Sequence, residues 1–427
     1  MNSEDRSETC DVMIVGAGMA GMAAALFAAR RGLAVAQVGL AGEINFASGM
    51  LDLLGVHPVA AGRVWADPWA GIARLCADEP RHPYARLAPA AIHAALTAFL
   101  GFLDRAGYPY FTHGTANLEM ITPAGTVKTT YAVPHTMRQG VLALADGRPC
   151  LLVDFKGLRG YSARQIALGL APRWPRLRTE RLDFPPGGGD LYPERVARSL
   201  ELAETRRELA RAIQPHLGRA AAVGLPAVLG VSRTLEALAD LQDALGAPVF
   251  EVPSMLPAVT GLRLREACEQ HLPVMGVRIH YQQRVLGVRH QPGGGWLFEV
   301  GGPAVEGRIR SRAAILCSGR FFGRGLHAER TGIRETVFGL PVTQPARRSD
   351  WHHRDLLHGP GHPINRAGVA IDDRFRPVDD RGRPVYPDLF AAGSILAHQD
   401  WMRQKCGSGL AIATAWGAVE ACRALLH

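Results

Sequence analysis

The residues with the most specific chemistry lie at the start of the chain. Gly16-Ala17-Gly18-Met19-Ala20-Gly21 is a GxGxxG run. It follows Asp11-Val12-Met13-Ile14-Val15, which is short, apolar and β-branched and reads as a buried parallel strand. Met22 to Arg31 then reads as an alanine-rich helix closed by Gly32, and Leu33 to Val38 as the next strand. In that setting each glycine has a task. Gly16 makes the tight turn, Gly18 lets a pyrophosphate approach bare backbone, and Gly21 lets helix and strand pack closely. The helix start adds N–H groups and about half a positive charge. Gly16, Gly18, Met19, Ala20 and Gly21 are therefore expected to hold a cofactor phosphate. An acid at the end of the second strand should hold the adenosine ribose. Gln37-Val38-Gly39-Leu40 stand there instead, and the nearest acid is Glu43. Either Glu43 swings in, or the adenosine is held loosely, or the cofactor lacks adenosine.

Three further groups carry possible chemistry. His57, His398 and Lys405 are candidate proton acceptors for an alcohol oxidation, and a neutral His near pH 7 suits that task. Each is also of a type often used only structurally. Arg320, Arg324 and Arg334, with His327 and Arg330, follow an apolar strand that ends at Gly319. An anionic phosphomonoester needs planar bidentate donors, so these arginines are substrate candidates; a solvated basic face is the equal alternative. Trp351-His352-His353, His358 and His362 match no compact zinc spacing and sit among Pro and Gly, so an exposed loop and no metal is expected.

The elements that must position these groups are legible in outline. Gly276 to His280 and Val285 to Arg289 read as short strands. Trp296 to Val300 and Val305 to Arg310 read as a β-meander, and Ala313 to Cys317 as a buried strand ending in Ser318-Gly319. Pro387 to Ser394 is another apolar strand ending in glycine, and Lys405-Cys406-Gly407-Ser408-Gly409 opens an apolar helix from Leu410 to Leu426. This order resembles that of the two-dinucleotide-fold flavoproteins. In those proteins the late strand ends in Gly-Asp, and the acid holds the ribityl chain; here Gly393-Ser394 stands in its place, and a hydroxyl still donates and accepts. The resemblance implies that the Gly407-Ser408-Gly409 helix start aims N–H groups at the isoalloxazine edge, where positive charge stabilises a reduced flavin. It also implies that Ser48 and Gly49, with Asp52, lie near flavin N5; a helix N-cap is the plainer reading.

Longer stretches point to one family. Phe46 to Gly55, His82-Pro83-Tyr84, Gly319-Arg320-Phe321-Phe322 with Gly325-Leu326, Ala328 to Glu335, Leu389 to Ser394 and Gly407-Ser408-Gly409 resemble the B subunits of anaerobic glycerol-3-phosphate dehydrogenase. The resemblance runs from about residue 10 to 425 and is weakest between 120 and 250. It implies an α/β chain with a Rossmann-like FAD/NAD(P)-binding fold: a parallel sheet, a β-meander and an inserted second domain. It implies a non-covalent flavin, FMN or FAD, with Gly319 and Gly393 among its contacts. It also implies a homologous catalytic flavoprotein subunit, an iron–sulfur membrane-anchor subunit, and oxidation of sn-glycerol 3-phosphate to dihydroxyacetone phosphate with electrons passed to menaquinone. Such a complex would be cytoplasmic and peripheral on the inner face of the cell membrane. A free-standing fumarate-reductase-like dehydrogenase, and a cofactor-free assembly or relay subunit, are the alternatives.

Composition sets the bounds. At 427 residues, the chain should form two or three units. Apolar residues are 47% and charged residues 20%, which excludes wholesale disorder. The net charge is +9, but only Lys128, Lys156 and Lys405 are lysines, and the arginines form no run of five. That fits an Arg-biased composition and not a nucleic-acid surface. Seven cysteines show no CxxC and no ferredoxin spacing, which suits reduced thiols and offers no metal relay. The polar N-terminus shows no secretory signal, and the charge-free Val12 to Ala29 is explained by the glycine loop better than by a membrane span. Residues 1–115 and 255–427 are expected to form a discontinuous flavin domain around an insert, 116–254. Within the insert, Pro149 to Phe155 and Ala220 to Val231 read as strands, Ser162 to Leu170 and Tyr192 to Ile213 as helices, and Arg173 to Asp190 as a loop.

Overall fold

The computed structural model describes residues 7–40, 43–185 and 190–427. Gly187, Gly188 and Gly189, expected in a loop, lie outside the described residues, as does the side chain of Glu43. The chain divides into two compact units. One comprises residues up to Ile44, Asp52–Leu100 and Cys268–His427, and the other comprises Asn45–Leu51 and Gly101–Ala267.

The first unit is built on one sheet. Strands Arg278–Tyr281, Val35–Gly39, Glu8–Val15 and Val305–Leu316 lie side by side and parallel, in that order. Val12, Met13 and Ile14 are fully buried, as expected of a strand covered on both faces. The expected strands from Val305 and from Ala313 are one twelve-residue strand, Val305–Leu316. Its first half pairs antiparallel with Trp296–Gly301, which pairs in turn with Arg284–His290, so the β-meander is present. Its last residues pair parallel with Leu389–Ala391. One long strand therefore serves both the parallel sheet and the meander. Helix Met19–Arg30 begins three residues earlier than expected, because the chain turns directly from Gly18 into helical geometry.

The last helix, Gly407–Leu426, is long and apolar enough to cross a membrane by length and composition, and 61% of its apolar window is buried within the structure. It packs on helix Met19–Arg30, with Phe27 edge-on to Trp416 at 5.1 Å and the Arg31 guanidinium 4.1 Å over the Trp416 ring.

The second unit has its own parallel sheet. The order is Val249–Val252, Ala222–Pro226, Cys150–Phe155 and Leu177–Leu182. The expected strand from Ala220 to Val231 ends at Pro226, and the chain turns by Gly230 in the left-handed region. The expected helix from Tyr192 to Ile213 is two, Pro193–Ser199 and Ala203–Ile213. At the break, the Glu201 carboxylate accepts from Val231 N–H at 2.9 Å and Ser232 N–H at 2.7 Å, a task that takes it out of a continuous helix. Within the stretch expected as a loop, Leu177–Leu182 is a strand, because it adds to the free edge of Cys150–Phe155.

The boundaries differ from those expected: the main segment of the second unit is Gly101–Ala267 where 116–254 was expected, and a further short segment joins it. Asn45–Leu51 belongs to the second unit. Leu51 N–H donates to Ala132 O at 2.8 Å, Ala258 N–H to Asn45 O at 3.0 Å, and Thr260 Oγ1 to Ala47 O at 3.0 Å. Those long-range bonds leave no local pattern in the sequence.

One buried ion pair stands out in this unit. Arg263 meets Glu251 in a two-pronged pair at 2.6 and 2.8 Å, with both side chains almost fully buried. Thr136 Oγ1 and Leu229 N–H also donate to Glu251, and Arg263 Nε–H donates to Gly230 O. The pair is thus surrounded by further partners, which is the condition for tolerating buried charge. Removing one partner strands the other charge. Arg263→Leu should cost about 3–5 kcal/mol of unfolding free energy, read as a lower urea midpoint, and Glu251→Gln less; equal and negligible effects would contradict the burial.

Candidate functional site

Three strand ends meet at the glycine run. Cys317 N–H donates to Val15 O and Gly16 N–H to Val38 O, each at 2.7 Å. Gly16 has φ +132°, and a Cβ there would collide with Cys317 O; a Cβ on Gly21 would collide with Gly16 O. The first and third glycines are thus required by backbone-to-backbone approach. The buried Gln37 side chain donates from Nε2 to Gly16 O at 2.9 Å and fastens the loop to the second strand.

A cavity of about 810 Å³ opens where these ends meet. Gly16, Ala17, Gly18, Gly39 and Ser318 line it, together with Arg284, Phe321, Arg324, His327 and Arg334. The helix Met19–Arg30 starts at its edge, so unused N–H groups and the positive end of the helix dipole favour an anion there. Ser318 Oγ is buried and has no hydrogen-bond partner among the described residues. Among the described lining residues there is no Asp or Glu. The residues present fit a diphosphate. The place of the ribose acid is occupied by Gly39, and a Cβ there would sit 2.6 Å from Ala17 N and 2.9 Å from Gly16 C. No side chain fits at that position in this backbone.

The late strand joins the same region. After Leu389–Ala391, Gly393 takes φ +85° and opens a short turn, Gly393–Ile395, that also contains Ser394. Gly393 N–H donates to Thr414 Oγ1 at 2.9 Å, and a Cβ on Gly393 would meet Ala20 Cβ at 2.5 Å. The structure therefore brings Gly393 against the first helix, 373 residues away in sequence. Gly319, at φ +69°, lies beside Gly325, whose Cβ would strike Gly319 O.

The Gly407-Ser408-Gly409 helix start is held by the segment that begins at Asp52. Ser408 Oγ accepts from Asp52 N–H at 2.7 Å, and Gly409 N–H donates to Asp52 O at 2.7 Å. At least one N–H expected to aim at a flavin is thus spent on backbone. Gly55 N–H donates to Gln404 O at 3.0 Å. Two residues that the sequence did not single out as functional hold these loops. Tyr84 Oη donates to Leu53 O at 2.8 Å, and His82 links Tyr84 N–H at Nδ1 to Gln404 Oε1 at Nε2. His82-Pro83-Tyr84 is legible in sequence only as a short motif, with nothing in it to say what it touches.

The remaining candidates fall in distinct places. Ser48 and Gly49 lie in the second unit; Ser48 is in no helix, and Gly49, at φ +84°, packs against Thr260 and Pro134. Arg320 donates to the carbonyls of Asn365, Leu396 and Gln399, the last two at 3.0 Å, so its guanidinium ties loops together instead of facing solvent. Burial lowers its pKa to about 10. Arg324 and Arg334 line the glycine-loop cavity, and Arg334 pairs with Glu329. His57 is buried, with Nε2 3.0 Å from Asp78 Oδ2. His398, at φ +63°, has its pKa lowered to about 4 by burial and by Arg81 and Arg366. Lys405, at φ +53°, caps the short helix Trp401–Gln404. His353 stacks on His358 at 3.6 Å, and among the described residues no group of three or more His, Cys, Asp or Glu is placed to hold a metal ion.

Comparison with known proteins shows which family the chain belongs to. A family model for an FAD binding domain matches residues 11–410. A Halobacterium salinarum protein, named as the probable B subunit of anaerobic glycerol-3-phosphate dehydrogenase, is 30% identical over 432 residues, covering 98% of each chain. The B subunit of anaerobic glycerol-3-phosphate dehydrogenase from Pectobacterium atrosepticum is 28% identical over 96% of this chain and 97% of its own. Among solved structures, a 3-ketosteroid delta1-dehydrogenase of Sterolibacterium denitrificans is 12% identical, covering 98% of this chain and 100% of the other, with a TM-score of 0.45.

The tight glycine contacts make substitution costly in a graded way. Gly16→Ala and Gly39→Glu should each lower the melting temperature by several degrees, whereas Gly293→Ala, which has open space around its Cβ, should not. A more stable Gly39→Glu protein would mean that the strand end has room for an acid. Acid should act through His82. Burial lowers its pKa from 6.5 to about 3, so between those values the unfolded chain binds a proton that the folded one refuses. Stability from this group is complete above pH 6.5 and falls as pH drops toward 3, by up to about 1.4 kcal/mol per pH unit. His82→Gln should flatten that part of the stability–pH curve, measured by denaturant melts at several pH values.

Proposed function

Because this chain belongs to the FAD binding domain family and to the family of anaerobic glycerol-3-phosphate dehydrogenase B subunits, we propose that it is the flavin-carrying subunit of a complex that oxidises sn-glycerol 3-phosphate to dihydroxyacetone phosphate. The observation that carries this reading is the likeness over 98% of the chain to a relative of that name, combined with a bare-backbone phosphate cradle at the expected place. The flavin is proposed to be FAD rather than FMN. The glycine loop, Gly39, Arg284 and Phe321 all line one cavity of about 810 Å³, more room than a single phosphate would use.

A bound flavin supplies a two-electron acceptor that can release electrons singly. The seven cysteines have no cluster spacing, so an iron–sulfur partner is the proposed route to a quinone, and docking on that partner the proposed link to the membrane. A homologous flavoprotein subunit is proposed as the companion chain. Of the three candidate bases, His57 has the arrangement of an oriented one. Asp78 holds Nε2, and Nδ1 is buried without a partner among the described residues, so Nδ1 is the proposed acceptor of the alcohol proton. His398, with its pKa lowered to about 4, and Lys405 and Arg320 are proposed as positioning residues.

The test is anaerobic titration of the chain co-purified with its companion subunits. Glycerol 3-phosphate should bleach the visible flavin band, and succinate should not. Bleaching by succinate alone would replace this reading with a dicarboxylate dehydrogenase. His57→Asn should lower turnover about 100-fold or more, while the bound flavin remains.

A further inference from the structure

Among the described residues lining the cavity at the glycine loop, the charged side chains are basic. Arg284, Arg324, Arg334 and His327 line it, and among the described lining residues no carboxylate opposes them. Arg334 is committed to Glu329, but neither Arg284 nor Arg324 makes an ion pair among the described residues. Arg324 is held at φ +61°, an uncommon conformation for a side chain of its kind, at the edge of this cavity. Ser318 adds an unpartnered buried hydroxyl among the lining residues.

The second strand is unable to supply the usual ribose contact. A carboxylate there would accept hydrogen bonds from the ribose hydroxyls and repel a phosphate on them. At position 39 the backbone admits no Cβ, and the Gln37 amide is spent on Gly16 O. Phosphates, by contrast, would meet bare N–H groups, a helix start and two guanidinium groups with no ion pair among the described residues.

Resting on the flavin reading in its FAD form, we infer that this site holds its nucleotide by phosphate charge through Arg284 and Arg324, does not read the ribose 2′-hydroxyl, and accepts a 2′-phosphorylated adenosine nucleotide at least as well as the unmodified one. The ligand class is therefore an adenosine nucleotide selected by anionic charge. Two consequences separate this from a carboxylate-held ribose. Removing the 2′-hydroxyl should cost almost nothing, and binding should weaken steeply with salt.

The experiment titrates competitors into the flavin-loaded full chain and reads displaced flavin by its fluorescence. ADP and 2′-deoxy-ADP should displace flavin with affinities within about twofold of each other, where loss of a ribose–carboxylate bond would cost about tenfold. Adenosine 2′,5′-bisphosphate should compete better than AMP at low salt, and the difference should shrink as salt rises. Arg284→Gln and Arg324→Gln should each weaken ADP about tenfold at low salt and flatten the salt dependence. Both residues are exposed, so these variants should fold. Glu43→Gln should leave the ADP and 2′-deoxy-ADP affinities unchanged. A tenfold loss with 2′-deoxy-ADP, poorer competition by the bisphosphate than by AMP, or a selective loss of ADP affinity in Glu43→Gln would each overturn the inference while leaving the flavin reading intact. Displacement by FMN but by none of the adenosine nucleotides would overturn the FAD reading itself.

Discussion

The close approach of Gly16 to the backbone at Cys317 governs the rest of the first unit. No side chain can stand between the end of strand Glu8–Val15 and the end of strand Val305–Leu316. That contact joins two segments 301 residues apart in sequence. It also leaves the N–H groups at the start of the next helix facing open space instead of protein. A parallel sheet gathers its strand ends on one edge, so a cleft forms there as a matter of topology. The glycines determine that the cleft is lined by main chain and can take a phosphate at contact distance.

Around this contact the chain uses neutral hydrogen bonds for support and keeps its free charge for the cavity. Gln37, His82, Tyr84, Ser408 and Thr414 all fasten one segment to another from buried or half-buried positions. A buried neutral donor costs little once paired, whereas a buried charge needs a full set of partners. Arg320 shows the cost. It is ringed by three carbonyl acceptors, its pKa is lowered by burial, and it serves as a brace. Arg324, four positions on, has no ion pair among the described residues and stays where solvent or an anion can reach it. The same residue type does opposite work one short turn of chain apart.

The two units repeat one device in different ways. Each has a parallel sheet whose central strands are continuous apolar runs, and each carries irregular segments at the strand ends. In the first unit those ends are bare glycine. In the second, the corresponding work is done by the Arg263–Glu251 pair, which collects strand ends and turns by side-chain hydrogen bonds. One arrangement is open to a ligand and the other is closed by its own charges.

Local pattern carried a large part of this. The strand, glycine run and helix at residues 11–31 are legible because an apolar β-branched run, three fixed glycines and an alanine-rich stretch each have a short-range cause. The meander and the final helix are legible for the same reason. Tertiary structure decided what those elements meet. That Asn45–Leu51 joins the second unit, that Gly393 rests on Ala20, that Arg320 braces loops while Arg324 faces the cavity, and that Gly39 has no room for an acid all depend on contacts with other segments of the chain. A residue's type sets which interactions it can make, and local spacing sets the element it sits on. Which partner it finds is settled only when distant segments compete for the same space, and one sequence read alone holds no record of that competition.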